Sequence, residues 1–233
     1  MGESCPMADV SDAFLDSASW TVVIPVKRTA IAKSRLAAAY PRARPELALA
    51  FAVDTTAAAL RARGVAAVVV ITDDPAVRRA VTALGADVVP DEPDAGLNPA
   101  LEHAAETAVR AGQGVAALSA DLPALRPAEL AAALAACVPA RGFVADAAGT
   151  GTTLLAAPSG QPLTPHFGGN SATAHRLSGA TPVTVTGIDS LRRDVDTAAD
   201  LAAAITLGVG PRTAAVLASI GVDLSAPPAE RLA

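Results

Sequence analysis

The sequence predicts an α/β fold, with a mostly parallel mixed sheet covered by helices on both faces. Three observations carry this reading. Strand-like and helix-like segments alternate through the first half of the chain, as successive β-α-β units require. The strand candidates WTVVIPV (20–26), VAAVVVIT (65–72) and GVAALSAD (114–121) are continuous apolar runs, the pattern of strands buried on both faces. Apolar residues make up 52% of the 233 residues but aromatics only 3%, so the core must be packed from alanine, valine and leucine.

Residues 1–18 read as a flexible leader, 19–222 as one domain and 223–233 as a flexible tail. After the first strand, the region from Ile31 to Arg63 reads as helical, with a break at YPRARP. The second strand runs into DDPAVRRAVTAL, a helix with Asp74 as its N-cap and Pro75 in its first turn. ADVVP (86–90) is a third strand and LNPALEHAAETAVRAG a helix. The fourth strand leads to the helix RPAELAAALAAC. GFVAD (142–146) and GTTLLAA (151–157) form two strands around a turn, and NSATAHRLSGA forms a short helix. TPVTVTG (181–187) reads as a further strand, followed by the helices TAADLAAAITLG and GPRTAAVLASIG. The last helix is apolar enough to pack on the chain's own core or on a second copy as a homodimer.

Composition removes several function classes. The net charge is −5 with no basic tract, which argues against a nucleic-acid surface. Charges, glycines and prolines interrupt every apolar run, so no membrane span is expected. The acidic opening lacks the basic start of a secretory signal. Cys5 and Cys137 are far apart, as in a reduced, cytoplasmic protein. No G-x4-G-K-[ST] is present, and no G-x-G-x-x-G follows the first strand, which sets aside P-loop enzymes and dinucleotide-dependent oxidoreductases.

In sheets of this kind, ligands bind beyond the carboxyl ends of the strands. Lys27 and Lys33 are the only lysines of the chain, and both follow the first strand in IPVKRTAIAKSRL. With Ser34 and Arg35 they can meet a polyphosphate, or they can form a solvated loop. After the third strand, Gly96 and Asn98 stand at a helix start. There Asn98 either reads a ligand or caps the helix. Asp121 ends the fourth strand in SADLPAL, where a carboxylate is costly unless it is paired, and Mg²⁺ is one such partner. Capping of the next helix is the rival role. GTGTTLL (149–155) supplies Thr152, and HFGGNSATAH (166–175) supplies Gly168 and Ser171. Together these make a small anion nest flanked by His166 and His175, or plain turns with a serine cap. In RRDVDTAADL, Thr197 and Asp200 form a capping pair, while Asp194 and Asp196 are left over as carboxylates for a cation. The set suits displacement at phosphorus. Two Mg²⁺ ions about 3.5–4 Å apart, bridging Asp121 and Asp196, could clamp the attacking and leaving oxygens.

Taken in order, IPVKRTAIAKSRL, GLNPAL, SADLPAL, ADAAGTGTTLL, HFGGNSATAH and DVDTAADL resemble the phosphoenolpyruvate / 2-phospho-L-lactate guanylyltransferase family of coenzyme F420 biosynthesis. The resemblance runs from about Thr21 to Val209. It implies a three-layer αβα nucleotidyltransferase fold of the glycosyltransferase-A type. It also implies condensation of GTP with a phosphorylated three-carbon acid, releasing pyrophosphate. By motif matching, Thr152, Gly168 and Ser171 hold the acid, Asp121 and Asp196 hold Mg²⁺, Lys27, Lys33 and Arg35 hold the triphosphate, and Asn98 holds the nucleoside. Asp121, Lys27 and Lys33 are the catalytic candidates. The wider superfamily has a G-x-G-x-R loop where this chain has PVKRTAIAKSR, so side chains must replace backbone N–H groups around the phosphates. The alanine-rich, arginine-biased composition favours phosphoenolpyruvate, through the actinobacterial branch, over 2-phospho-L-lactate. A different nucleotidyltransferase and a non-catalytic nucleotide-binding protein on the same fold are the rival readings.

Overall fold

A computed structural model describes residues 19–27, 36, 39–108, 110–222 and 224. Its centre is a seven-stranded sheet of β1 (Trp20–Pro25), β2 (Val65–Ile71), β3 (Asp87–Val89), β4 (Gly114–Leu118), β5 (Gly142–Ala145), β6 (Thr152–Ala157) and β7 (Thr181–Pro182). The strand order is β3-β2-β1-β4-β6-β5-β7. β1 pairs in parallel with both β2 and β4, β2 with β3, and β5 with β7. β6 runs antiparallel to both of its neighbours, β4 and β5. The sheet is therefore mostly parallel with one reversed strand, as expected.

Eight helices are described: α1 (Arg44–Leu60), α2 (Pro75–Thr82), α3 (Leu97–Thr107), α4 (Pro127–Ala136), α5 (Ser171–Leu177), α6 (Asp189–Arg192), α7 (Ala198–Leu207) and α8 (Pro211–Ser219). Successive strand residues face opposite sides of the sheet, and the two cores follow this alternation. Val22 and Ile24 pack with Ala52 of α1, Val77 of α2, Leu130 of α4 and Leu191 of α6. Val23, Phe143 and Leu155 pack with Leu101 of α3 and Ala172 of α5. Helices thus cover both faces, giving three αβα layers. Burying Phe143 completely contributes roughly 1.5–3 kcal/mol. With so few aromatics, close approach has to supply much of the remainder. A Cβ at Gly114 would press into the Trp20 ring, and one at Gly142 would press into the Cys137 sulfur.

A third core joins Leu47 and Phe51 of α1 to Leu201 of α7 and Leu217 of α8. The C-terminal helix therefore packs on the chain's own core. No helix of the described residues is long and apolar enough to cross a membrane.

The structure corrects two local readings and adds one element. TPVTVTG forms only the two-residue β7 (Thr181–Pro182), and pairing with β5 ends at the bond from the Val183 N–H to the Phe143 carbonyl at 2.8 Å. DSLR, which carried no signal of its own, is the short helix α6. The N-cap of α3 is Gly96 at φ +103, not Asn98, which lies inside the first turn. Asp74 does cap α2, accepting from the N–H groups of Ala76 at 2.9 Å and Val77 at 3.4 Å. The Thr197–Asp200 capping box of α7 is also formed.

Candidate active site

From β1 the sheet grows one way through β2 and β3, and the other way through β4. Such a switch point opens a crevice beyond the carboxyl ends of the two central strands. Lys27 and Asp121 leave β1 and β4 at matching distances beyond the paired residues Val23 and Ala117. The Lys27 side chain is exposed. It borders the acidic connection after β3: burial and the charges of Asp73 and Asp94 push the Asp91 carboxyl up, and Lys27 pulls it the other way. Lys33 and Arg35 lie outside the described residues.

Asp121 does not cap α4, whose N-cap is Arg126. Its loop is instead held from the helix beneath. Thr55 Oγ1 donates to the Ala120 carbonyl at 3.2 Å and accepts from the Leu122 N–H at 3.1 Å. The Asp121 carbonyl accepts the Val195 N–H at 3.0 Å, which draws the segment after α6 alongside β4. That segment is also tied to the β5–β6 hairpin. Arg192 Nε donates to the Ala145 carbonyl at 3.1 Å, and its Nη2 donates to the Asp146 carbonyl at 3.0 Å.

These ties gather four carboxylates: Asp121, Asp146, Asp194 and Asp196. Burial pushes the Asp194 carboxyl up to about 7, and the charges of Asp121, Asp146 and Asp196 add to the shift. Asp146 accepts from the N–H groups of Thr150 and Gly151, each at 2.9 Å. A side chain at position 151 would collide with that carboxylate, which accounts for the glycine. Hard carboxylate oxygens crowded around Asp194 form a donor set that fits Mg²⁺. Among the described residues, no three acidic, histidine or cysteine side chains already converge as ligands of one ion.

Because β6 is antiparallel, its first residue, Thr152, lies at the edge where β4 and β5 end. His175 is completely buried, and its Nδ1 stands 2.9 Å from Thr152 Oγ1. It is therefore a core residue and not an exposed flank of the anion nest, whereas His166 is exposed. The connection into α5 is clamped from several sides. The His166 N–H donates to His175 Nε2 at 2.8 Å. The Phe167 N–H donates to Asn98 Oδ1 at 2.8 Å, and Asn98 Nδ2 returns a bond to the Phe167 carbonyl at 3.0 Å. The Ala172 N–H donates to the Thr150 carbonyl at 3.0 Å. Gly168, at φ +146, and Asn170, at φ +58, then turn the chain into α5, where Ser171 is buried. Asn98 is thus first a loop clamp. Beyond these two bonds its amide keeps one hydrogen and one lone pair.

Sequence reasoning missed Thr55, Asp146 and Arg192. The first had a signal: Asp54-Thr55-Thr56 is a polar triplet inside the otherwise apolar helix LALAFAVDTTAAAL, and all three residues are buried. Arg192 acts through carbonyls, which no residue pattern reveals.

A sheet with this strand order between two helical layers has the nucleotidyltransferase fold. Solved structures support the fold. The 4-diphosphocytidyl-2C-methyl-D-erythritol synthase matches with a TM-score of 0.55 at 13% identity, over 82% of this chain and 99% of that one. A protein from Desulfovibrio desulfuricans described as a nucleotide-diphospho-sugar transferase matches with a TM-score of 0.62 at 15% identity, over 87% and 95%. Residues 20–232 match the family described as "Guanylyl transferase CofC like", and the chain belongs to that family. Relatives named phosphoenolpyruvate guanylyltransferase are 57% identical in Thermomonospora curvata, over 86% of this chain and 89% of that protein. Another, in Salinispora arenicola, is 59% identical over 84% and 92%.

Proposed function

We propose that the chain is a phosphoenolpyruvate guanylyltransferase, joining GTP and phosphoenolpyruvate into enolpyruvyl-diphospho-5'-guanosine and pyrophosphate, in coenzyme F420 biosynthesis. The observation that carries the chemistry is the carboxylate cluster around Asp121, at the switch point that Lys27 borders. The names of the relatives support the choice of acid.

In the proposed reaction an oxygen of the acid's phosphate attacks the α-phosphorus of GTP in line. A P–O bond forms there as the bond to the β-phosphate breaks, and the electron pair leaves with pyrophosphate. The attacking phosphate is already ionised near neutral pH, since its second pKa is about 6, so no general base is required. Bound Mg²⁺ would neutralise charge on the triphosphate and the leaving group, with Asp121 and Asp196 holding it and Asp194 and Asp146 beside them. Lys27 would bind the triphosphate from the β1 side, together with Lys33 and Arg35. Thr152, Gly168 and Ser171 would hold the acid.

The test is pyrophosphate release from GTP and Mg²⁺ with phosphoenolpyruvate, with 2-phospho-L-lactate, and with neither. Release with phosphoenolpyruvate, abolished by Asp121→Asn, is expected. Release only with 2-phospho-L-lactate would replace the acid, and release with neither acid would sink the reading.

A further inference from the structure

The ring of His175 is fixed by groups whose direction of donation is known. The His166 backbone N–H lies 2.8 Å from Nε2, and a backbone amide can only donate. Nε2 therefore carries the lone pair, and the single proton of the neutral ring sits on Nδ1. Burial first, then the charges of His166 and Arg141, pushes the pKa of this ring down to about 4, so the neutral form holds at ordinary pH. Phe167 packs edge-on at 5.0 Å between ring centroids, with Phe143 at 6.0 Å on the tilt, which restrains the ring's plane.

The consequence falls on Thr152. Nδ1–H donates to its Oγ1 at 2.9 Å, so the threonine oxygen is the acceptor of that bond. With no lone pair on Nδ1 to receive it, the hydroxyl hydrogen must point elsewhere.

We propose that His175 is a positioning residue for the acid substrate: locked as the Nδ1–H tautomer by the His166 amide, it aims the Thr152 hydroxyl hydrogen at an anionic oxygen of the phosphorylated acid. This rests on the assignment of the acid to Thr152, Gly168 and Ser171. The same ring also fixes the start of the turn that carries Gly168, so one side chain orients both parts of the acid subsite.

Two substitutions separate the two bonds of the ring. His175→Asn keeps a donor near the Nδ1 position, whereas His175→Gln keeps an acceptor near Nε2 and loses the bond to Thr152. His175→Gln should raise KM for phosphoenolpyruvate about tenfold, leaving KM for GTP unchanged, and His175→Asn should raise it less. Thr152→Val should match His175→Gln, and the double variant should be no worse than either alone. Effects that multiply, or a KM for GTP that rises in step, would overturn the proposal. Should His175→Gln not fold, Thr152→Ser must retain the low KM that Thr152→Val loses; equal loss in both overturns it. In the wild type, ¹⁵N spectra should show an unprotonated Nε2, and a protonated one refutes the tautomer. An unchanged KM for the acid in Thr152→Val, with normal wild-type turnover, removes the acid-site assignment and this proposal but not the activity. Absence of wild-type turnover removes all three.

Discussion

Thr55 holds the main chain on both sides of Asp121. Its hydroxyl donates to the carbonyl of the residue before and accepts the amide of the residue after, at 3.2 and 3.1 Å. Two hydrogen bonds of this kind contribute about 2 kcal/mol, and they aim the carboxylate proposed to hold the cation, where tolerance is narrow. Thr55→Val should therefore lower kcat at least about tenfold with little change in either KM, while Thr55→Ser should stay near wild type. Steady-state kinetics on both variants checks this.

Asp54, the neighbour of Thr55, anchors the other side of the helix. Its carboxylate accepts the N–H groups of Arg212 at 3.0 Å and Thr213 at 2.7 Å, so it caps α8 from a distant helix. Asp54→Ala should cost about 1–2 kcal/mol, as loss of a helix cap does. Gly210→Ala should cost at least as much, because its Cβ would collide with the same carboxyl. Urea unfolding measures both.

His175 gives stability a pH dependence of known sign. Its folded pKa, about 4, lies below the ordinary histidine value near 6.5. Between those values the unfolded chain binds a proton that the folded one excludes, so this group makes stability fall as pH falls from about 6.5 toward 4. His175→Gln should flatten that part of a plot of melting temperature against pH, even where it lowers stability overall.

Lys27 tests the nucleotide side. Lys27→Ala should raise KM for GTP several-fold and leave KM for the acid nearly unchanged. Initial rates with each substrate varied in turn decide it, and an unchanged GTP dependence would leave Lys27 as a solvated residue beside Asp91.

The sequence made the sheet legible because buried parallel strands are long apolar runs, as VAAVVVIT shows, and because Asp74-Pro75 and Thr197 with Asp200 state their helix starts in side-chain chemistry. It exposed Asp121 for a related reason: a carboxylate closing an apolar strand calls for a partner. What stayed hidden depends on contacts between distant segments. Asn98 looked like a cap because its neighbours suit one, yet its amide clamps Phe167, across the fold. His175 looked like an anion ligand because it follows a glycine-rich turn, but the turn of α5 carries it inward. Asp146 sat inside a quoted motif without notice, since only the pull of Arg192 on the hairpin brings the segment with Asp194 beside it.

The reversed strand β6 has a consequence for how such a protein can diversify. Thr152, Gly168, Ser171 and His175 all come from the stretch that begins with this strand, whereas Lys27, Asn98 and Asp121 precede it. The proposed acid pocket is thus a contiguous stretch laid against the segments of Lys27, Asn98 and Asp121 that are proposed to meet the nucleotide, with the Asn98–Phe167 bonds joining the two. If these assignments hold, exchange of that stretch between relatives, with residue 98 kept as asparagine, should alter the acceptor while leaving Lys27 and Asp121 in place.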